Sequence, residues 1–385
     1  LPPCLASAAE NPILEEITVT AAHAERTPIG SASVGKSQLA PMRAATSDSA
    51  SLLRDIPGVS LYGAGGVSSL PVMHGLADDR LRIKVDGMDF IAACPNHMNS
   101  PLSYIDPTAI GVTQVYAGIS PVSVGGDSIG GSLIAETAEP VFAAPGQGSL
   151  VRGEAGAFYR SNGNAWGANI AATGATGNIS VTYTGSSARA DNYTAGGNFK
   201  TTTATGRLGH TLPLDEVGST AYESLNQMLS FALKGGNHLV EAKFGFQRIP
   251  EQLYPNQRMD MLKNDRTRVN LRYQGEFDWG ALEARAYREK VEHFMDFGAD
   301  KRFWYGNAMP PLGSGGPGAI DGTPCAPVGT AACATGMPMN TESTNTGLSL
   351  KGDIKLSGED LIRVCLLYTS DAADDLLRVV LGGRR

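Results

Sequence analysis

From about residue 148 onward, apolar and polar residues alternate one by one in segment after segment. In one segment, Val240, Phe244 and Phe246 are apolar, and the charged residues Glu241 and Lys243 lie between them. Because successive side chains on a β-strand point to opposite faces, each such segment predicts a strand with one apolar and one polar face. Strand after strand of this kind favours a transmembrane β-barrel with lipid outside and water inside. A soluble β-sandwich has the same alternation, usually with shorter strands and fewer charges on the polar face.

The composition narrows the classes of protein further. The chain has 385 residues, of which 47 are glycine and only 18% are charged, and its net charge is −7. No run approaches the ~18 consecutive apolar residues of a membrane helix, which argues against a helical membrane protein. The acidic balance, without any Lys/Arg run, argues against nucleic acid as a partner.

The two ends of the chain differ in character from the rest. Ala6-Ser7-Ala8 has the small-x-small form of a signal-peptidase site, so residues 1–9 are expected to be the remnant of a signal peptide; an Ala/Ser-rich tail is the alternative. Residues 365–385 follow a clean strand pattern that stops abruptly. They resemble translated sequencing-adapter read-through, and we expect them to be an artefact rather than a terminal helix.

One cysteine pair lies in a Gly/Pro-rich stretch. Cys325 and Cys333 are eight positions apart there. In an exported protein such a pair predicts a loop disulfide, and two separate thiols are the alternative.

The first part of the chain mixes short helical and strand signals. Residues 48–53 predict a helix that ends near the turn at Pro57-Gly58, and residues 81–85 predict a strand that enters a turn at Asp86-Gly87. The glycine-rich stretch at 125–134 lacks the GK[ST] signature of a phosphate-binding loop. Its glycines therefore predict tight packing and close approach of backbones.

Five segments in this part carry a family resemblance. Glu16-Ile17-Thr18-Val19-Thr20 looks like the TonB box of TonB-dependent outer-membrane receptors. Residues 53–59, 73–76, 83–88 and 125–134 are similar, in their order and spacing, to landmarks of the plug domain of these receptors. The sequence departs from the family at residues 116–120, where Arg-Gly-Pro is common. A TonB box must be an extended, exposed segment with which another protein pairs by β-augmentation.

The resemblance implies a fold and a location. We expect a TonB box and linker at 10–28, an α+β plug domain at 29–145, and a transmembrane antiparallel β-barrel from residue 146. Barrels of this family have 22 strands, and residues 146–364 have room for about the first nine, so we expect the chain to be a fragment. The implied location is the outer membrane of a Gram-negative bacterium, in contact with outer-membrane lipid. The implied partner is TonB with its ExbB/ExbD energy-coupling complex.

Two short motifs point to a metal. Cys94 and Met98 lie four positions apart on one loop and carry soft sulfur donors, which select Cu(I) over hard cations. Counting in twos along the segment that ends at Met295 places His293 and Met295 on its polar face, toward the lumen of the expected barrel.

The pairing of Cys-x-x-x-Met with His-x-Met resembles the TonB-dependent copper receptors of the OprC/NosA type. That resemblance implies copper, as Cu(I), as a transported ligand held by Cys94, Met98, His293 and Met295, and it implies that the protein is not an enzyme. His97 is an additional candidate donor or an ordinary surface histidine. A thioether entry path, or mere gap filling, is the expected role of Met88, Met259, Met261, Met309, Met337 and Met339.

Two other functions stay open at this stage. One is a TonB-dependent receptor for a siderophore or another metal chelate. The other is a cupredoxin-like electron carrier, because Cys94-x-x-His97 followed by Met98 is similar to a cupredoxin ligand loop. The second alternative requires a wider spacing of Cys and Met and a small β-sandwich.

Overall fold

The computed structural model describes residues 31–90, 92–94, 97–121, 124, 128–203, 205, 209–257, 259–301, 339–356 and 361–371. The predicted TonB box at 16–20 and the predicted Cys325–Cys333 disulfide lie outside these residues. Within them, no helix is long and apolar enough to cross a membrane.

The N-terminal domain is a small α+β unit. Its elements are β1 (Ser31–Gly35), α1 (Lys36–Arg43), β2 (Val59–Tyr62), β3 (Leu70–Met73), β4 (Leu81–Val85), β5 (Met88–Asp89), β6 (Ile110–Tyr116) and β7 (Gly131–Thr137). One sheet has the strand order β1-β6-β7-β4-β5, in which only β4 and β7 are parallel, and β2 pairs with β3 as a separate hairpin. Short 3₁₀ helices cover Ser49–Leu53, Asp78–Arg80, Pro101–Tyr104 and Pro107–Ala109.

Two local predictions can be compared with this domain. The helix expected at 48–53 is a 3₁₀ helix, whose first turn is capped by the Asp48 carboxylate accepting a hydrogen bond from Ala50 N. In the glycine-rich stretch, Gly131 has φ +119°, and a Cβ there would collide with the carbonyl oxygen of Tyr116 on the neighbouring strand β6. The expected close approach of backbones is therefore confirmed at Gly131.

The second unit is one antiparallel sheet of nine strands among the described residues. Its strands are β8 (Ser149–Arg160), β9 (Ala165–Thr176), β10 (Ile179–Ala190), β11 (Tyr222–Gly235), β12 (His238–Gln252), β13 (Asp260–Phe277), β14 (Gly280–Asp296), β15 (Met339–Lys355) and β16 (Leu361–Asp371). Each strand pairs with its neighbours in chain order. The expected end of the partial barrel at residue 364 falls inside β16. The interpretation of residues 365–385 as an artefact stays a prediction.

We call this nine-stranded sheet the wall. Its two faces differ in polarity and in exposure, as the alternation predicted. On the outer face, Phe244 and Leu271 are each 46% exposed. On the inner face, Glu241 and Lys243 are 2% and 6% exposed. The polar face is thus the buried one, covered by the N-terminal domain, and the apolar face is the exposed one.

The turn at Asp86-Gly87 binds the N-terminal domain to several strands of the wall. The Asp86 carboxylate accepts hydrogen bonds from the backbone N (3.0 Å) and Oγ1 (2.7 Å) of Thr137 inside its own domain. It also forms ion pairs with Lys243 Nζ of β12 (3.1 Å) and Arg268 Nη2 of β13 (2.9 Å). The Asp86 carbonyl accepts hydrogen bonds from Asn270 Nδ2 (2.8 Å) and from Arg285 of β14. One residue therefore binds three consecutive strands of the wall.

The charge of Asp86 is stabilised at this position. Burial alone would raise the pKa of Asp86, but the cations of Lys243 and Arg268 and the hydrogen bonds from Thr137 outweigh it and hold the pKa below its usual range. Because the folded pKa lies below the unfolded value of about 3.9, the stabilisation is present above about pH 4 and is lost only at lower pH.

We predict that Asp86→Asn lowers the free energy of unfolding of the N-terminal domain by about 3 kcal/mol or more, because Arg268 and Lys243 are left buried beside a neutral amide. Glu154→Gln is the matched control: its ion pair with Lys36 also joins the domain to the wall, but both side chains are about half exposed, so we expect a loss below about 1 kcal/mol. The free energy of unfolding and the protease resistance of residues 31–137 measure both effects. Equal effects of the two variants would contradict an anchor at Asp86.

Candidate metal centre

The loop after β5 carries Cys94 and Met98 and lies against the inner face of the wall. The Ala93 carbonyl accepts a hydrogen bond from Thr341 Oγ1 of β15 (2.9 Å), and the Ser103 carbonyl accepts one from Gln247 Nε2 of β12 (2.8 Å). Within the domain, Ser68 Oγ donates to the Met98 carbonyl (3.1 Å). The loop is thus held both by its own domain and by the wall.

A buried arginine reinforces this contact. The Arg266 guanidinium of β13 lies 4.7 Å from the centre of the Phe90 ring and donates a hydrogen bond to the Tyr104 carbonyl. Its charge is balanced by Glu289 of β14, with 2.6 Å between Nε and Oε2. Phe90 and Tyr104 bracket the loop, so Arg266 fixes the loop at both ends.

On the wall, two rows of neighbouring side chains cross strands β13, β14 and β15. Met261, Met295 and Met339 form the first row, and Asn264, His293 and Thr341 form the second. A β-bulge between Met261 and Lys263 shifts the register of β13 by one residue. Because of this shift, Met261 and Asn264 both point inward and are fully buried although they are three positions apart.

The loop and the wall meet at sulfur atoms. Cys94 Sγ lies 3.6 Å from Met295 Sδ. Cys94, Met98 and Met295 are buried in one cluster with Met261 and Tyr254, and Met259 and Met339 pack against it. The structure therefore brings together three of the four residues that the sequence singled out as copper ligands.

The fourth predicted ligand, His293, lies two residues from Met295 on the same strand and is also fully buried. Its Nδ1 is 3.1 Å from Asn264 Oδ1. Its Nε2 is buried and has no hydrogen-bond partner among the residues described. One ring nitrogen is thus hydrogen-bonded to the wall, and the other has no partner in the part of the chain that the structure describes.

The remaining candidate donors are dispersed. His97 is part-exposed, and its Nε2 lies 3.6 Å from Asp79 Oδ2. Met88 is buried in β5, opposite Val85, whereas Met309 and Met337 lie outside the described residues. Sequence reasoning missed Asn264, Thr341 and Tyr254. Only the strand register places Asn264 and Thr341 beside His293.

The chemistry of the donors is soft. Across the described part of the chain, no group of three or more His, Cys, Asp or Glu side chains could hold a metal ion. The cluster instead offers thioethers, one thiol and one imidazole, a set that suits Cu(I) and not Mg²⁺ or Ca²⁺.

Comparisons with known proteins agree with the fold. Residues 24–132 match the family model described as the TonB-dependent Receptor Plug Domain. Comparison with curated proteins gave no match.

Several solved structures are similar to the chain. The copper transporter OprC has 22% identity and a TM-score of 0.64 over 89% of this chain and 46% of its own. The FrpB iron transporter from Neisseria meningitidis (F3-3 variant) has 17% identity and a TM-score of 0.63, over 90% and 49%. The siderophore receptor PirA from Acinetobacter baumannii has 14% identity and a TM-score of 0.65, over 92% and 50%. The chain spans about half the length of these structures, and at such identities the likeness shows the fold alone.

Residues 24–132 therefore match the plug domain of TonB-dependent receptors, and the antiparallel sheet that follows has the fold of part of these solved structures. The fold class predicted from the sequence is confirmed. A single sheet of strands up to 18 residues long does not fit the small β-sandwich that a cupredoxin-like electron carrier requires.

We predict that Thr341→Val makes the buried Cys94 thiol more accessible, because it removes the hydrogen bond to the Ala93 carbonyl at nearly constant side-chain volume. A net loss of about 1 kcal/mol corresponds to about fivefold faster alkylation of Cys94, measured peptide by peptide with a thiol reagent. Thr346→Val, on the same strand but exposed on the outer face, is the control and should leave the rate unchanged. Equal rates in both variants would show that Thr341 does not hold the loop.

Proposed function

We propose that this chain is part of a TonB-dependent outer-membrane receptor that captures copper, as Cu(I), between plug and wall and releases it to the periplasm. The observation that supports this proposal best is the contact of 3.6 Å between Cys94 Sγ of the plug and Met295 Sδ of the wall. Cys94 and Met98 would supply two ligands from the plug, and His293 and Met295 would supply two from the wall.

The charge balance of such a site favours the monovalent ion. Thioethers and a neutral imidazole carry no charge, so a Cys94 thiolate and Cu(I) together sum to zero. Burying a neutral set costs much less than burying a net charge, as Cu(II) would require here. Loss of the thiol proton on binding would make the affinity fall as the pH decreases.

Release follows from the division of the ligands between two bodies. TonB, driven by ExbB/ExbD, would pair with residues 16–20 and pull on the plug. Movement of the loop would break the hydrogen bonds from Thr341, Gln247 and Arg266 and separate Cys94 and Met98 from the wall. A half-site binds the ion weakly, so the ion would leave toward the periplasm. No covalent step is involved, and the protein would act as a transporter and not as an enzyme.

Further thioethers would form a path along which the ion enters the site. Met259, Met261 and Met339 adjoin the Cys94 cluster, and a soft ion could pass between them by ligand exchange. This entry path remains a prediction.

A second candidate function is a receptor for a siderophore or another metal chelate. It is favoured by the likeness to PirA and FrpB, whose TM-scores equal that of OprC within 0.01. Such a receptor would not need a buried thiol, thioether and imidazole at the junction of plug and wall.

Copper content of the purified full-length protein, after anaerobic exposure to Cu(I) and desalting, tests the proposal. We expect one bound ion in the wild type and loss of most of it in Cys94→Ala, Met98→Leu, His293→Ala and Met295→Leu. Leucine nearly conserves the volume of methionine, so the fold should persist. Met228→Leu, a buried methionine of β11 outside the cluster, is the matched control and should keep its copper.

Equal copper content in all variants would exclude the site. Uptake of a ferric chelate, without any response to copper, would support the second candidate instead.

A further inference from the structure

His293 and Asn264 are fully buried neighbours on adjacent strands. His293 Nδ1 lies 3.1 Å from Asn264 Oδ1. Asn264 Nδ2 has no partner in the described structure, so the contact with His293 is the hydrogen bond that this buried amide makes there. An amide buried with half of its hydrogen-bonding capacity unused destabilises the fold, which suggests a role other than stability.

The contact determines which imidazole nitrogen carries the proton. An amide oxygen has no hydrogen to donate, so it can accept a hydrogen bond only from Nδ1–H. In a neutral ring, a proton on Nδ1 leaves a lone pair on Nε2. Nε2 is the ring nitrogen that has no partner among the described residues, and a lone pair is what a metal ligand requires.

The strand register places Asn264 beside His293. Asn264 has the same parity as the buried residues Arg266 and Arg268 of β13, and the regular register of β13 and β14 pairs it with His293. Met261 has the opposite parity, and the β-bulge between Met261 and Lys263 turns it inward, opposite Met295. Register and bulge together thus place one residue beside each of the two proposed wall ligands.

We propose that Asn264 is a positioning residue, which holds His293 in the Nδ1–H tautomer and thereby presents Nε2 as the nitrogen ligand for a soft metal ion. This inference rests on the proposed copper site. Asn264 itself does not touch the metal. Its amide oxygen takes the part that a carboxylate or carbonyl takes behind many metal-bound histidines.

The proposed role of Asn264 depends on its amide oxygen. Three substitutions test whether this acceptor is required. Asn264→Leu removes the acceptor at similar volume, and the ring is then free to carry its proton on Nε2. Asn264→Ser shortens the side chain so that it no longer reaches Nδ1, and it adds no apolar bulk if the leucine variant fails to fold. Asn264→Asp keeps an acceptor at the same place.

Cu(I) affinity of the full-length protein, measured by competition with a chromophoric chelator, tests the proposal. We expect Asn264→Leu and Asn264→Ser to weaken binding by about 10- to 100-fold, and Asn264→Asp to keep it within severalfold of the wild type. In a His293→Ala background, Asn264→Leu should cause no further loss, because the effect passes through His293. A merely structural role would give additive losses.

Copper X-ray absorption supplies a readout that stability does not affect. The nitrogen scatterer of the wild type should disappear in Asn264→Leu and persist in Asn264→Asp. Unchanged affinity with the nitrogen retained in Asn264→Leu and Asn264→Ser, or additive losses in the double variant, would overturn the role of Asn264 while leaving the copper site intact. A wild type that binds no Cu(I) would overturn both proposals.

Discussion

The ion pairs of Asp86 with Lys243 and Arg268 determine where the plug sits on the wall. Three strands converge on this one residue, and its charge is buried, so any shift of the plug leaves charges without partners. After Asp86, the chain of the plug runs along β14 and β15. Asp89 contacts Tyr287 and Asn345, Ala93 contacts Thr341, and Cys94 reaches Met295. The position of the thiol thus depends on an anchor eight residues earlier.

Between Phe90 and Tyr104, which the buried Arg266 holds, the contacts of the loop with the wall are of a different kind. Thr341 and Gln247 bind backbone carbonyls through neutral hydrogen bonds, which contribute about 0.5–1.5 kcal/mol each. Such contacts hold the donors in place at equilibrium and still yield to a modest pulling force. The proposed metal site, divided across this junction, would be stable when the plug is seated and would be lost when the loop moves, which is the property that capture followed by release requires.

Much of this arrangement could be predicted from the sequence. The alternation of residues identified the strands and their inner face, and counting in twos placed His293 and Met295 together on the buried side. The turn at Asp86-Gly87 was also foreseen. The 3₁₀ geometry at Ser49–Leu53 was not, because local propensity does not distinguish it from an α-helix.

Other features depend on tertiary structure. The row of Met261, Met295 and Met339 follows from strand register, which packing sets across residues distant in the chain. Asn264 shares the inward parity of Arg266 and Arg268, but only the register with β14 places it beside His293. Met261 has the opposite parity, so a count in twos along β13 gives it the wrong face, because the bulge turns it inward. The partners of Asp86 on β12, β13 and β14 likewise depend on tertiary structure, because they lie more than 150 residues away in the chain.

Anomalous diffraction at the copper edge, from crystals of the full-length protein loaded with Cu(I), tests the central claim most directly. The predicted result is a single strong peak enclosed by Cys94 Sγ, Met98 Sδ, His293 Nε2 and Met295 Sδ, at the junction of plug and wall. A peak elsewhere, such as beside His97 and Asp79, or no peak at this junction, would contradict a copper site shared between the two bodies.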